Sequence, residues 1–292
     1  MRKAFVNTMS QILEDDDRCV LILGDIGVHG FRSIAEKKPG AVINIGILEQ
    51  AMIGFAAGLA MDGRIPVVHS IAPFLIERCL EQLKVDFGYQ SLSGKFVSVG
   101  ASFDYAALGC THHCPGDVGT VLGIPEFEIV VPGSGAEFST LFSATYNNSR
   151  NTYYRLSEST NGSDMPVRFG KAYIVRKGTQ GTVIAIGPML DLAMKATEGF
   201  DVTVLYYTTV RPFDSHALRQ SVQTGRIFVL EPFYEGTVYA DILQSVGGLD
   251  VRIGGHGIPR QFIRTYGNRD QQWDALGFGV GPIRQEIVEF VS

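Results

Sequence analysis

The stretch Ala41–Gly63, AVINIGILEQAMIGFAAGLAMDG, changes its period halfway along. Ala41–Gly46 is a short apolar run rich in β-branched residues and ended by glycine, which predicts a strand. Glu49–Met61 follows with helix-forming residues and is stopped by Asp62-Gly63, which predicts a helix. An apolar strand feeding directly into a helix is the repeating unit of a parallel sheet. The centre of this stretch, Asn44–Gly58, also sets a carboxylate, Glu49, among apolar neighbours. Burial there would disfavour the ionised form, and a carboxyl poised to share a proton suits proton transfer. The run alone reads equally well as a glutamate exposed at a helix N-terminus, where negative charge is favourable.

Working outward, the same alternation continues. Cys19–Gly24, Pro66–Ser70, Lys95–Gly100, Phe127–Val131 and Thr152–Leu156 read as strands, with helices predicted over Pro73–Tyr89, Asp117–Leu122 and Ala136–Asn147. Ser157–Pro166, SESTNGSDMP, is small, polar and turn-rich, and reads as a linker. Beyond it KAYIVR, TVIAIG, VTVLYY, RIFVLE and LDVRIG restart the pattern, with helices over Met189–Thr197 and Val238–Ser245. The expected architecture is α/β, with two domains, 1–160 and 167–292, each a mainly parallel sheet flanked by helices.

The 292 residues are 45% hydrophobic and 19% charged, with 34 glycines, as in a well-cored enzyme rather than a disordered chain. A net charge of −5 argues against a nucleic-acid or membrane-surface binder. The N-terminal segment MRKAFVNTMSQILEDDD reads as an amphipathic helix and lacks a signal-peptide core, so a cytoplasmic setting with four reduced cysteines is expected. There is no P-loop, and LGDIGVHG (Leu23–Gly30) lacks dinucleotide-binding spacing.

Chemistry-bearing residues collect after the strands, where open parallel sheets place their ligands. GDIG (Gly24–Gly27), ILEQ (Ile47–Gln50), APFLIERCLEQ (Ala72–Gln82) and GCTHHCPGD (Gly109–Asp117) are the four segments. Cys110 and Cys114 bracket two histidines, but no second ligand pair has zinc-site spacing, so no metal is expected on this chain and both read as packing residues. GGHGIP (Gly254–Pro259) reads as a glycine-rich turn, and Gln261–Gly279, with Trp273, as a packing or interface segment.

Taken together, these segments resemble the transketolase family of thiamine diphosphate enzymes, in its pyrimidine-binding and C-terminal domains. The resemblance runs from MRKAFVNTM through GILEQAMIGFAAGLAMDG, PFLIERCLEQ and THHCPGDVGTVLGIPEFEIVVPG to GKAYIVRKG, TVIAIG and VRPFD. It implies that Glu49 hydrogen-bonds the pyrimidine nitrogen N1′ and starts proton removal from the thiazolium C2. It also implies that Phe74 stacks on the pyrimidine, and that Ile26, following Asp25, wedges the cofactor into its bent shape. His112 is implied as the histidine that binds substrate oxygens and relays protons. His113, Arg2, which matches a phosphate-binding arginine, and Asp104 are expected on the substrate side.

Some positions depart from the family pattern. Leu108 stands where phosphosugar enzymes carry an aspartate, Glu158 where they carry an arginine, and Gly100 near where they carry a histidine. Arg155 is close to Glu158 in sequence but is expected to point to the other face of its strand. A carboxylate cannot replace a guanidinium that grips phosphate, so an unphosphorylated or unusual acceptor is expected.

Family members hold the diphosphate and Mg2+ (or Ca2+) through a GDG…N motif in a preceding domain, and this sequence has no such motif. The resemblance therefore implies a split enzyme. A partner chain would bring GDG…N, the cofactor would lie between the chains, and the assembly would be of α2β2 type, acting on small sugars. The expected reaction moves a two-carbon ketol unit from a ketose to an aldehyde. The alternatives are two-carbon acyl transfer to a carrier thiol and a non-catalytic scaffold.

Overall fold

The apolar runs of the first half have neighbours on both faces, so they pair side by side in parallel and leave helices to cover them. A computed structural model describes all 292 residues in this arrangement. The first six strands are β1 (Cys19–Leu23), β2 (Val42–Asn44), β3 (Ile65–Ile71), β4 (Lys95–Val99), β5 (Phe127–Val130) and β6 (Asn151–Arg155). They lie in the order β5-β6-β4-β3-β1-β2, all parallel. The second sheet takes β7 (Ala172–Arg176), β8 (Thr182–Ile186), β9 (Thr203–Tyr207), β11 (Arg226–Tyr234) and β12 (Arg252–Ile258), ordered β12-β11-β8-β9-β7, with β7 antiparallel. Between them β10 (Thr209–Arg211) crosses back to pair antiparallel with β5, so the second half lends a strand to the first sheet.

Helix α1 (Arg2–Asp15) and α3 (Glu49–Met61) cover opposite faces of the first sheet, with the short α2 (Arg32–Lys37) between them in sequence. Strand β1 shows why its run is apolar throughout. Cys19, Leu21 and Leu23 pack with Phe5 and Met9 of α1, whereas Val20 and Ile22 pack with Met52 and Ile53 of α3. No helix is long and apolar enough to cross a membrane.

Three sequence expectations change. The run Pro73–Tyr89 is not one regular helix: wide-turned segments Pro73–Glu77 and Leu83–Tyr89 flank the short α4 (Leu80–Gln82). Arg78 N–H, for instance, bonds the Pro73 carbonyl five residues back. Such insertions leave the helical pattern of side chains nearly intact, so periodicity misses them. Ser157–Pro166 is docked rather than loose. Asn161 bonds the Gly133 carbonyl through its backbone N–H and the Gly187 carbonyl through Nδ2, and Ser134 Oγ donates to Asp164. GGHGIP is largely strand β12, not a turn. Its glycines allow close approach, since a Cβ on Gly254 would sit 2.5 Å from the Phe290 ring and one on Gly255 2.6 Å from the Val229 carbonyl oxygen.

Candidate functional site at the rim of the first sheet

Strands β2, β1, β3 and β4 are consecutive neighbours, so the loops leaving their carboxyl ends lie side by side. Those loops carry GDIG, ILEQ, APFLIERCLEQ and GCTHHCPGD.

Glu49 opens α3, so it stands at a helix N-terminus, and it is also only 1% exposed. The helix-end position is therefore as read, but the exposed reading is overturned and the burial reading holds. Its partner is a residue the sequence did not single out. Arg78 Nη1 donates to Glu49 Oε2 at 2.6 Å, from a side chain that remains 36% exposed. The Arg78 guanidinium carbon lies 4.2 Å from the centroid of the Phe74 ring. Phe74 in turn meets His112 edge-to-face at 5.1 Å, and Tyr105 meets the same histidine at 6.1 Å. Thr111 Oγ1 hydrogen-bonds His112 Nδ1 at 2.9 Å. Burial, reinforced by His113 and the Arg78 cation, lowers the His112 pKa, so the ring favours its neutral form, able to accept a proton.

The His112 loop is braced from below. Ser102 and Cys114 close it by mutual backbone hydrogen bonds, and Ser102 Oγ donates to the Pro232 carbonyl. Arg155 lies fully buried beneath, bonding Ser102 Oγ at 2.7 Å and Asp117 Oδ2 at 2.7 Å from the start of α5 (Asp117–Leu122). Trp273 of the second half packs on Phe103 of the same loop. His113 faces that brace: its Nε2 meets the Ala106 carbonyl and its ring meets Phe103, so it is not gathered with Phe74 and His112. Of the two cysteines read as packing residues, Cys114 is buried and Cys110 is exposed.

Arg2, Asp104, Tyr105 and Glu158 line a cavity of about 90 Å³. Asp104 accepts from the Glu158 N–H and from Ser157 Oγ, and burial raises its pKa to about 6. Asp104, Tyr105 and Glu158 also face a larger space of about 410 Å³, where Arg269 approaches Glu158 at 3.7 Å. A Cβ on Gly100 would lie 2.5 Å from the Tyr105 ring, so Tyr105 fills the space above that glycine. Asp25 and Ile26 border a third cavity, of about 500 Å³, together with Arg2. Asp25 has a positive φ of 59°, held by hydrogen bonds in both directions with the Asn44 side chain.

Arg78 and Tyr105 are the site residues that sequence reasoning missed. Arg78 had a signal: it stands four residues after Phe74 in a helical pattern, a spacing that shares a face. Tyr105 had none, because only the loop's return brings it over Gly100.

The fold is that of a two-domain α/β chain whose ligand rim lies at the carboxyl ends of a parallel sheet. Residues 1–162 match the family described as Transketolase, pyrimidine binding domain, and residues 170–280 match Transketolase, C-terminal domain. The chain belongs to the transketolase family. It is 38% identical, over 100% of its length and 95% of the relative's, to a 33.6 kDa protein in the fasciation locus of Rhodococcoides fascians. It is 28% identical, over 100% of its length and 97% of the relative's, to one of the subunits of the apulose-4-phosphate transketolase of Phocaeicola vulgatus. A solved split gene transketolase, described as an inactive beta4 tetramer, has the same fold, with a TM-score of 0.85 at 20% identity over 99% of this chain and 97% of that one.

Proposed function

We propose that this chain is the pyrimidine-binding subunit of a two-chain, thiamine diphosphate-dependent transketolase-like enzyme. It moves a two-carbon ketol unit from a ketose donor to an aldehyde acceptor in the cytoplasm. The observation that carries this reading is the grouping of a buried carboxylate, Glu49, with one partner, beside the Phe74 ring face and the His112 imidazole. A carboxylate can accept several hydrogen bonds, and an aromatic face can take a flat ring against it, so this set of groups suits an aminopyrimidine. A relative of nearly equal length, itself named as one subunit of a transketolase, supports the same class.

When bound, thiamine diphosphate supplies the electron sink for breaking a carbon–carbon bond beside a carbonyl. The chain supplies position and proton control. Glu49 would hold a proton at the pyrimidine nitrogen N1′, Phe74 would lie against the ring, and Ile26 with Asp25 would support its bend. His112, largely neutral, would bind a substrate oxygen and take or return its proton. Arg2, Asp104 and Glu158 would meet the far end of the sugar, where two carboxylates favour hydroxyl groups over phosphate.

We assign the diphosphate and its Mg2+ to a partner chain with a GDG…N motif, in an α2β2-type assembly. Helix α3 supports a covering chain, because it is apolar on nearly all sides yet leaves Phe55 and Met61 exposed. Ile47 and Leu48, just before Glu49, are also exposed, so a chain seated there would close the carboxylate's surroundings. Residues 1–160 and 167–292 form the two domains in this reading. Glu158 in place of an arginine keeps acyl transfer to a carrier thiol as the second reading.

The test is Glu49→Gln in the complex reconstituted with its partner, following two-carbon transfer from a ketose. Loss of positioned proton transfer should lower the rate by about 100- to 1,000-fold. Transfer at the wild-type rate would remove Glu49 from the reaction, and transfer only to a thiol would select the second reading.

A further inference from the structure

Arg78 has no part in the reaction proposed above, yet it touches two of the residues assigned to the cofactor. Its guanidinium is flat, cationic and rich in N–H donors. It donates to Glu49 at 2.6 Å and lies 4.2 Å from the Phe74 centroid. An aminopyrimidine held by this chain needs the same carboxylate and the same ring face. Two planar groups cannot use both at once.

We propose that Arg78 fills the aminopyrimidine's place in the cofactor-free chain and leaves Glu49 and Phe74 when the cofactor loads. The inference rests on the assignment of thiamine diphosphate to this site. In the unloaded chain the arginine keeps Glu49 from being a buried, unpaired charge, which is costly. Its position also lets it go. Arg78 is 36% exposed and its guanidinium has a hydrogen bond to Glu49 alone, so it can swing into water. Arg155, by contrast, is sealed among several acceptors and has no such exit. Glu49 would thus exchange one planar N–H donor for another without passing through an unsatisfied state.

Binding of thiamine diphosphate to the reconstituted two-chain complex, measured by titration calorimetry, tests this. Arg78→Met keeps a flexible apolar stem and removes the competing fork, and should tighten binding about fivefold, the scale of a partly solvated ion pair. Arg78→Lys keeps the charge but cannot lie flat on Phe74, and should tighten binding by less. A crystal structure of the loaded wild-type complex should show the guanidinium away from the Phe74 face. Unchanged or weaker binding in both variants overturns the inference, as does a loaded structure with Arg78 still on Glu49 and Phe74. If Arg78→Met fails to assemble, Arg78→Lys decides by the same criterion. A wild-type complex that binds no thiamine diphosphate overturns the cofactor assignment together with this inference, whereas binding with an unmoved Arg78 overturns the inference alone.

Discussion

Two arginine–carboxylate pairs at the rim of the first sheet have nearly the same length and opposite surroundings. Asp117 and Arg155 meet at 2.7 Å with side chains 0% and 1% exposed. Asp117 also accepts from the Tyr153 hydroxyl and the Val118 N–H, while Arg155 also reaches Ser102 Oγ and the Pro232 carbonyl. Glu49 and Arg78 meet at 2.6 Å, but Arg78 is 36% exposed and each has the other as its only side-chain hydrogen-bond partner. The contact distance therefore says little about what a pair does. A closed network fixes the backbone it spans, here the loop that presents His112. An open pair satisfies a charge while leaving it free to change partners.

The largest effect should come from breaking the closed pair. Arg155→Met leaves Asp117 charged and buried, and should cost about 3–5 kcal/mol in the urea unfolding of this chain. Adding Asp117→Leu to that variant should restore part of the loss, since removing both charges is less damaging than orphaning one. A loss below about 1 kcal/mol for Arg155→Met would erase the distinction between the two pairs.

His69 sharpens the comparison from the other side, as a buried titratable group with no charge partner. It is fully buried on β3, its Nδ1 meets the Val97 carbonyl at 2.8 Å, and Nε2 has no partner. Burial lowers its pKa from 6.5 to about 4. The fold thus keeps His69 neutral while the unfolded chain protonates first. Its contribution is complete above about pH 6.5 and is lost as pH falls toward 4, by at most about 3 kcal/mol. Urea midpoints at pH 7 and pH 4.5 should separate less in His69→Phe than in the wild type. Equal separation in both would show that His69 does not carry the acid sensitivity.

Much of the frame was legible because it depends on local pattern. Helix α3 begins and ends where composition and glycine placed it, and every strand but β10 overlaps an apolar run read for it, although β3, β6, β11 and β12 extend past those runs. The missed features depend on distant parts meeting. Strand β10 is only three residues long and gains its meaning from β5, a strand far back in the chain. The glycines of β12 read as a turn because nothing local says that Phe290 and Val229 press on them. At the site, Glu49 posed a choice between burial and a helix end because a sequence does not show what covers a helix end. Arg78, arriving from the irregular helix after β3, supplies that cover.

The smallest effect is the most discriminating. Glu49→Gln keeps the shape of the side chain and an oxygen that accepts from Arg78. It removes a negative charge at the start of α3, which contributes a few tenths to about 1 kcal/mol at a helix N-terminus. Arg78, already partly in water, can leave its weakened partner without becoming a buried unpaired cation. The folded chain should therefore lose less than about 1 kcal/mol, read from the same urea titration that reports several kcal/mol for Arg155→Met. The paired outcome is what matters: near-native stability together with lost two-carbon transfer assigns the carboxyl to proton handling. If Glu49→Gln unfolds as readily as Arg155→Met, the open pair is structural after all, and the loss of transfer would report a collapsed rim rather than a missing proton.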